Sequence, residues 1–373
     1  MDNPFKNFLN SFSSKQPASV LGIDIGSSSI KIVQLKKKGG KAILETYGEI
    51  SLGPYANFEI GKSTNLSPDK AAEALKDLMT ESNVTTNFCG LSIPVNSSLI
   101  TFIKLPYTAE KQLDAMVPIE ARKYIPVPIS EVSLNWWVVP EERDTLSEFQ
   151  GEAAEKQNQG INVFLAVIHN DAIERNKEII KSTALESSFF EIELFSSIRS
   201  SLDQSLQPQM VFDMGASSTK LYIVERGILR NSHIINKGSQ DITLATSKSL
   251  GISFEEAERM KKTYGIIGDQ KEKDFTEITS LTLEYIFSES SMVLLNYQKK
   301  YNKNVSKVVF TGGGVNLKGL IDYSKKFFQT ECVIANPFDK LNYPAFLEDV
   351  LKSAGPEFSV AIGIALRKLQ ELE

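Results

Sequence analysis

The feature that most constrains this chain is a short segment that occurs twice. Leu21-Gly22-Ile23-Asp24-Ile25-Gly26-Ser27-Ser28-Ser29-Ile30-Lys31 is matched, half a chain later, by Met210-Val211-Phe212-Asp213-Met214-Gly215-Ala216-Ser217-Ser218-Thr219-Lys220. An apolar run, an aspartate, a glycine, small hydroxyl-bearing residues and a lysine fall in the same places. Duplication at the scale of a domain is the simplest source of such a match. The 373 residues are enough for two cores rather than one. Each copy reads as a strand that ends at glycine and a second strand that turns back from it.

The chemistry of such a unit is concrete. Glycine lets the backbone approach a phosphate that a Cβ would hold off. Successive N–H groups in the turn form a concave anion site, and serine hydroxyls add donors. A strand-end aspartate meets phosphate usefully only through a cation, and Mg²⁺ keeps its waters while bridging carboxylates to phosphate oxygens. Two such hairpins face to face would grip a polyphosphate from both sides. One copy alone would read as an ordinary turn. The duplication, with Gly312-Gly313-Gly314 following a strand predicted from Val305 to Phe310, points instead to a nucleotide. A plain strand-to-helix turn needs one glycine, and a helix predicted from Leu317 to Phe328 would favour negative charge at its start.

The first half continues with a meander of three strands turning at Gly39-Gly40, which also makes the run Lys36-Lys37-Lys38 a solvated hairpin end. Ser67-Pro68-Asp69 opens a helix. Strands between Asn87 and Leu105, a helix capped by Thr108 that ends before Pro126, strands at Ser133 to Val139 and Ile161 to Ile168, and a helix from Asn170 to Thr183 form a small αβ unit inserted at about 90–190. Trp136 and Trp137 fall on opposite faces of their strand. Glu141 to Gly160 is polar and reads as a mobile loop. The second half repeats the three strands, then gives helices at about Ser239 to Leu250, Ser253 to Thr263 and Phe275 to Tyr301, and a last helix from Glu357 to Leu369. The expected division is a tail (1–18), a first lobe (19–207) and a second lobe (208–373).

Other chemistries are poorly supported. A net charge of −5 gives no reason to expect nucleic acid. Cys89 and Cys332 lack metal-ligand spacing and, with no signal peptide in view, suggest buried thiols in a reducing cytosol. His169 and His233 have no ligand partners nearby, which disfavours a zinc or Ser-His-Asp mechanism. No apolar run approaches the roughly 18 to 20 residues needed to cross a bilayer. Phe5, Phe8, Leu9 and Phe12 would share one face of a short helix that could meet a membrane or a partner, while a tail that packs on its own domain or stays disordered is the favoured reading.

The paired hairpins, the triple-glycine loop and the late Ala361-Ile362-Gly363 helix together resemble the superfamily of actin, heat-shock chaperones and sugar kinases. Within it, the order of Ile103-Lys104-Leu105-Pro106, Glu120-Ala121-Arg122-Lys123-Tyr124-Ile125-Pro126, Ser253 to Glu258 with Lys261, Ala335-Asn336-Pro337-Phe338 and Val360 to Arg367 is similar, over nearly the whole chain, to the PilM family of type IV pilus assembly. That resemblance implies an α/β, duplicated actin-like (ribonuclease H-like) fold of two lobes, with an SHS2-type αβ subdomain inserted in the first. It implies ATP held by Gly26, Ser27, Ser28, Ser29 and Lys31 in one phosphate loop and by Gly215, Ala216, Ser217 and Ser218 in the other. Glu258 and Lys261 would approach the ribose or adenine, Gly312, Gly313, Gly314 and Asn316 the adenosine, and Asp24 and Asp213 a water-bridged Mg²⁺. Glu258 and Lys261 read equally well as a solvated i, i+3 pair. The resemblance further implies a cytoplasmic protein that binds the N-terminal cytoplasmic peptide of a PilN-like membrane protein. It would sit peripherally at the inner membrane through that partner, could self-associate into a ring, and would turn ATP over weakly at most.

Three other readings stay open. A division protein like FtsA shares the insert, but would carry an amphipathic membrane helix beyond a C-terminal linker, whereas this sequence ends straight after its last core helix. A small-molecule kinase would need a general base beside a substrate hydroxyl, and no aspartate stands out for it. A polymerising cytoskeletal actin usually lacks such an insert.

Overall fold

The computed structural model describes residues 19–106, 110–139, 160–267 and 273–371. The aromatic repeat of the first residues, the Thr108 cap and most of the polar stretch from Glu141 lie outside them. Strands β1 (Ser19–Ile25), β2 (Ser29–Lys38) and β3 (Lys41–Ser51) form the expected antiparallel meander. Gly39 and Gly40, at φ 59° and 74°, make its two-residue turn, the left-handed pair that suits the strand twist. Helix α1 (Pro68–Glu81) starts where Ser67 accepts from the Lys70 N–H, with proline at its first position. It lays Ala71, Ala72, Leu75 and Leu78 on the sheet.

β4 (Phe88–Ile93) runs parallel to β1. The chain then leaves the sheet for β5 (Ser98–Leu105), α2 (Glu110–Ala121), β6 (Val132–Val138) and β7 (Ile161–His169), a three-stranded antiparallel sheet in the order β5-β7-β6. The period of two along β7 gives this sheet two apolar faces. Val163, Leu165 and Val167 meet Leu113 and Val117 of α2, while Phe164 and Ala166 face the opposite way. α3 (Asn170–Thr183) and β8 (Glu186–Ile192) return to the first sheet, β8 beside β4. The inserted unit is therefore narrower than 90–190, and α3 belongs to the main lobe, packed on α1.

α4 (Glu193–Ser201) leads into the second half, where β9 (Gln209–Met214), β10 (Thr219–Glu225) and β11 (Ile228–Ile235) repeat the meander. There follow α5 (Ser239–Leu250), α6 (Phe254–Tyr264), α7 (Lys273–Tyr301), β12 (Lys307–Thr311), α8 (Leu320–Ser324), β13 (Glu331–Ile334), α9 (Glu348–Ala354) and α10 (Ser359–Glu371). The two large sheets have the same order, β3-β2-β1-β4-β8 and β11-β10-β9-β12-β13. In both, a parallel pair extends the meander on the β1 or β9 side. The duplication seen in a few residues thus extends to a whole sheet.

Two expectations change. α10 packs on β1, β2 and β4 of the first sheet, not on the second. Gly22 permits this, since a Cβ there would stand 2.0 Å from the Ala361 carbonyl. The apolar residues from Phe338 to Leu369 share a core with Val20, Val33 and Leu35, so a second lobe of 208–373 does not hold at its C-terminal end. The helix expected from Leu317 to Phe328 is reduced to the five residues of α8. Gly319, at φ 81° and packed against Ile267, interrupts it.

Candidate functional site

Both hairpins close on the same hydrogen bond. The Gly26 N–H donates to Ser29 O at 3.0 Å, and the Gly215 N–H to Ser218 O at 2.9 Å. Strand pairing sets Asp24 opposite Lys31 and Asp213 opposite Lys220. The tips of the two hairpins touch, Ser217 Oγ donating to Ser27 Oγ across 3.1 Å. Around them opens a cleft of about 1230 Å³. Gly26 to Ser29, Lys31, Gly215 to Ser218, Glu258, Lys261, Gly312 to Gly314, Asn316, Asp24 and Asp213 all line it. Residues far apart in sequence are brought together because the two sheets present equivalent strand ends to one space.

The floor of the cleft carries carboxylates that burial perturbs. Burial raises the pKa of Asp213 to about 6, with Glu193 and Asp24 adding repulsion and Lys220 opposing. Burial also raises Asp24, reinforced by Glu193, although Ser92 donates to its Oδ1 at 2.8 Å. The hairpin lysines do not point freely into the space. Lys31 Nζ lies 2.8 Å from Glu49 Oε1 and donates to Ser29 Oγ at 2.6 Å. Lys220 Nζ lies 2.6 Å from Glu193 Oε2. The Ser29 hydroxyl is therefore engaged beside its own lysine.

Three carboxylates here were not singled out from sequence. Glu193 is 9% exposed at its side chain, and its Oε1 accepts from the Val95 N–H at 2.7 Å. A signal was present, because Glu191 and Glu193 interrupt the otherwise apolar run from Phe189 to Phe195. Glu49 and Glu357 hydrogen-bond each other beside Lys31. Burial pushes Glu357 up; burial acts on Glu49 in the same sense, but Lys31 with hydrogen bonds from Ser29 and Glu357 together hold it down. Asn316 donates to Glu357 Oε1 at 2.6 Å, tying the glycine loop to this pair. No local pattern links positions 49, 316 and 357.

Glu258 and Lys261 are not a solvated pair. Their ends lie 2.6 Å apart at side-chain exposures of 12% and 11%. Thr243 bridges them, accepting from Lys261 at 3.0 Å and donating to Glu258 at 2.6 Å. Burial lowers the Lys261 pKa despite its partner. Over this rim passes a loop of the first half. The Ser63 N–H donates to Gln240 Oε1 of α5, and the Thr64 N–H to Ser27 O at 2.8 Å.

The three glycines have different reasons. Gly312, at φ 86°, donates to Pro356 O at 2.9 Å, and a Cβ there would stand 2.5 Å from Asp213 Oδ1. A Cβ on Gly314 would stand 2.5 Å from Met214 Cγ, whereas one on Gly313 meets nothing nearer than Glu357 at 3.7 Å. Gly313 is thus the position where the bare backbone faces the cleft without a packing need. A 3₁₀ turn over Gly313–Asn316 follows, so no regular helix starts at the loop.

Behind the cleft, α4 and α10 cross at close range. A Cβ on Gly363 would stand 2.0 Å from Ser196 O. Arg199 grips Glu191 at 2.7 and 2.8 Å and Gly363 O at 2.9 Å, while Arg367 reaches Glu191 at 3.0 Å. In the insert, Trp137 stacks on Phe164 with centroids 4.2 Å apart, and both adjoin Phe195 of α4. Trp136 packs on the other face. Glu120 pairs with Lys123 at 2.8 Å. No described helix is long and apolar enough to cross a membrane.

Known proteins match this architecture. A solved PilM–PilN type IV pilus biogenesis complex superposes at a TM-score of 0.79 with 22% identity, covering 95% of this chain and 99% of that one. The MreB 5 structure of Spiroplasma citri bound to AMPPNP gives 0.53 at 13% identity over 96% and 98% of the two chains. Among curated sequences, the cell division protein FtsA of Neisseria meningitidis serogroup B is 23% identical over 92% of this chain and 88% of its own length. The fold is accordingly the actin-like ATPase fold. The family model for the type IV pilus assembly protein PilM matches residues 22–369, and the chain belongs to that family.

Proposed function

We propose that this chain binds Mg-ATP in its cleft and that closure of the two halves on it controls capture of the N-terminal cytoplasmic peptide of a PilN-like membrane protein. The chain would be held at the cytoplasmic face of the inner membrane through that partner. The observation that supports this reading most is the meeting of two equivalent hairpins, tip to tip, opposite Gly312 to Gly314. Their turn N–H groups supply an anion cradle from both sides, and Glu258 and Lys261 form a rim for the sugar or base.

The donor set suits magnesium held through water. Asp24 and Asp213 share the floor with Lys31 and Lys220 turned to other carboxylates, and burial and the nearby Glu193 drive both toward protonation. Among the described residues no cluster of three or more ligating side chains exists. That suits a small cation that keeps its waters and takes phosphate oxygens rather than a protein cage. Asp24 and Asp213 would hold the ion through its waters, and its charge would offset that of the phosphates.

Turnover is expected to be slow. Glu193, the carboxylate beside both aspartates on the cleft floor, has both its oxygens committed to Val95 and Lys220. A base so held is a poor acceptor. Its position suits a switch instead. Glu193 starts α4, and α4 carries Phe195 to the aromatic face of the insert, a physical path from phosphate to a peptide site.

Titration calorimetry tests both parts. Mg-ATP should bind, and its presence should change the affinity for the PilN-derived peptide, since only differential affinity can couple two sites. Equal peptide affinity with and without Mg-ATP would remove the coupling.

A further inference from the structure

The loop between β3 and α1 touches both halves. Its ends belong to the first half, where Leu52 and Leu66 are buried in the core. The Leu52 N–H donates to Ser28 O at 2.9 Å and the Thr64 N–H to Ser27 O at 2.8 Å, so both ends are tied to the first hairpin. Between them the chain reaches the second half. The Ser63 N–H donates to Gln240 Oε1 at the start of α5. The backbone of Gly61 lies against Glu258, where a Cβ would stand 3.4 Å from Oε1. Lys62, paired with Glu59 of the same loop at 3.2 Å, also brings Nζ to 5.7 Å from the centre of the Phe254 ring of α6.

Such contacts are readily made and broken. The apolar side chains carried by the middle of the loop, Phe58 and Ile60, stay 46% and 61% exposed, so burial does not hold it. It is kept on the second half by a hydrogen bond, a cation–π contact and a close approach, whereas its ends are fixed in the first core. Segments held in this way open at low cost, and active-site lids are drawn from them.

Position gives the loop its role. Ile60, Gly61, Ser63 and Thr64 line the cleft, between Ser27 of the phosphate turn and Glu258 of the rim. A ligand stretched from the hairpins to the rim would run the length of this loop. We infer that residues 58–64 are a strap latched by Gln240, which must let go before nucleotide enters or leaves. The latch sits on the half opposite the anchors of the strap, so parting of the halves and release of the strap are one movement. This rests on the nucleotide reading above and deepens it, assigning exchange to residues outside the phosphate and sugar contacts. A gate that holds equally over a full and an empty site sets rates and leaves affinity alone.

Exchange of tritiated ATP on the full chain with Mg²⁺, followed by rapid filtration, tests it. Gln240→Ala keeps the backbone bond from position 240 to Ala216 O. It should raise the association and dissociation rates together, each at least about fivefold, with the dissociation constant within about threefold of wild type. The opposite perturbation is Ser63→Cys with Gln240→Cys joined by a short bis-maleimide, for which the native Cys89 and Cys332 are buried. Before joining, this double variant should exchange as fast as Gln240→Ala. Joined after loading, it should retain labelled ATP at least about 100-fold longer, and joined empty it should take up none. Unchanged rates in Gln240→Ala, or free exchange through the joined chain, would overturn the strap and leave the nucleotide reading standing. Weaker affinity without a matched rise in both rates would make Gln240 a ligand contact and overturn the strap equally. A wild type that binds no labelled ATP would overturn both readings.

Discussion

Ser217 donates its hydroxyl proton to Ser27 across 3.1 Å, so the two halves touch at the mouth of the site. An anion placed at this contact competes with any phosphate that the turns cradle. Ser217→Asp is expected to weaken Mg-ATP at least tenfold, about 1.4 kcal/mol. Ser217→Ala removes one exposed hydrogen bond and should change stability by less than about 0.5 kcal/mol. Calorimetric titration and urea melts report the two quantities.

Asp213 gives a pH signature. Burial pushes its carboxyl up to about 6 in the folded chain from an ordinary value of 3.8, so the folded state holds the extra proton. The stability this brings is complete below pH 4 and is lost as pH rises through 6. Asp213→Asn should therefore stabilise the ligand-free chain at pH 8 by about 1–3 kcal/mol and do nothing at pH 4. The same variant should bind Mg-ATP more weakly. Urea melts at the two pH values check the sign, and a destabilised variant at pH 8 would contradict it.

The triple-glycine loop separates packing from access. Gly312→Ala forces a Cβ against Asp213 and Met214 at positive φ and should cost about 1–3 kcal/mol. Gly313→Ala meets only ordinary contacts and should leave thermal stability within about 0.5 kcal/mol while lowering ATP affinity. If Gly313→Ala binds ATP as the wild type does, the backbone at that position does not face the nucleotide.

Glu258→Gln should be strongly destabilising, by about 3 kcal/mol, because it leaves Lys261 buried beside no full charge. Adding Lys261→Met should recover much of the loss. Chemical denaturation of the two single variants and the double variant gives the coupling.

How much of this was legible in the sequence depended on range. The paired hairpins, Gly39-Gly40 and the Ser67 cap were legible, because each is set by contacts within a few residues. The partners of Lys31 and Lys220 were not. Glu49 and Glu193 come from other strands and helices, and a lysine near a glycine turn reads as a phosphate ligand until its ion pair is seen. The solvated reading of Glu258 and Lys261 failed for the same reason, since Thr243 and the burial of α6 are supplied by α5. The helix from Leu317 was over-read because Gly319 is left-handed and its missing Cβ leaves room for Ile267.

What the sequence determined by itself was a duplicated strand-turn-strand unit with a glycine loop, hence two like sheets offering strand ends to an anion. Turn chemistry and alternation suffice for that, because they act over a few bonds. Tertiary structure decided which half α10 completes, which carboxylates hold the lysines and how acidic the floor becomes. Those depend on desolvation and on charges that the chain brings together only when both sheets have formed.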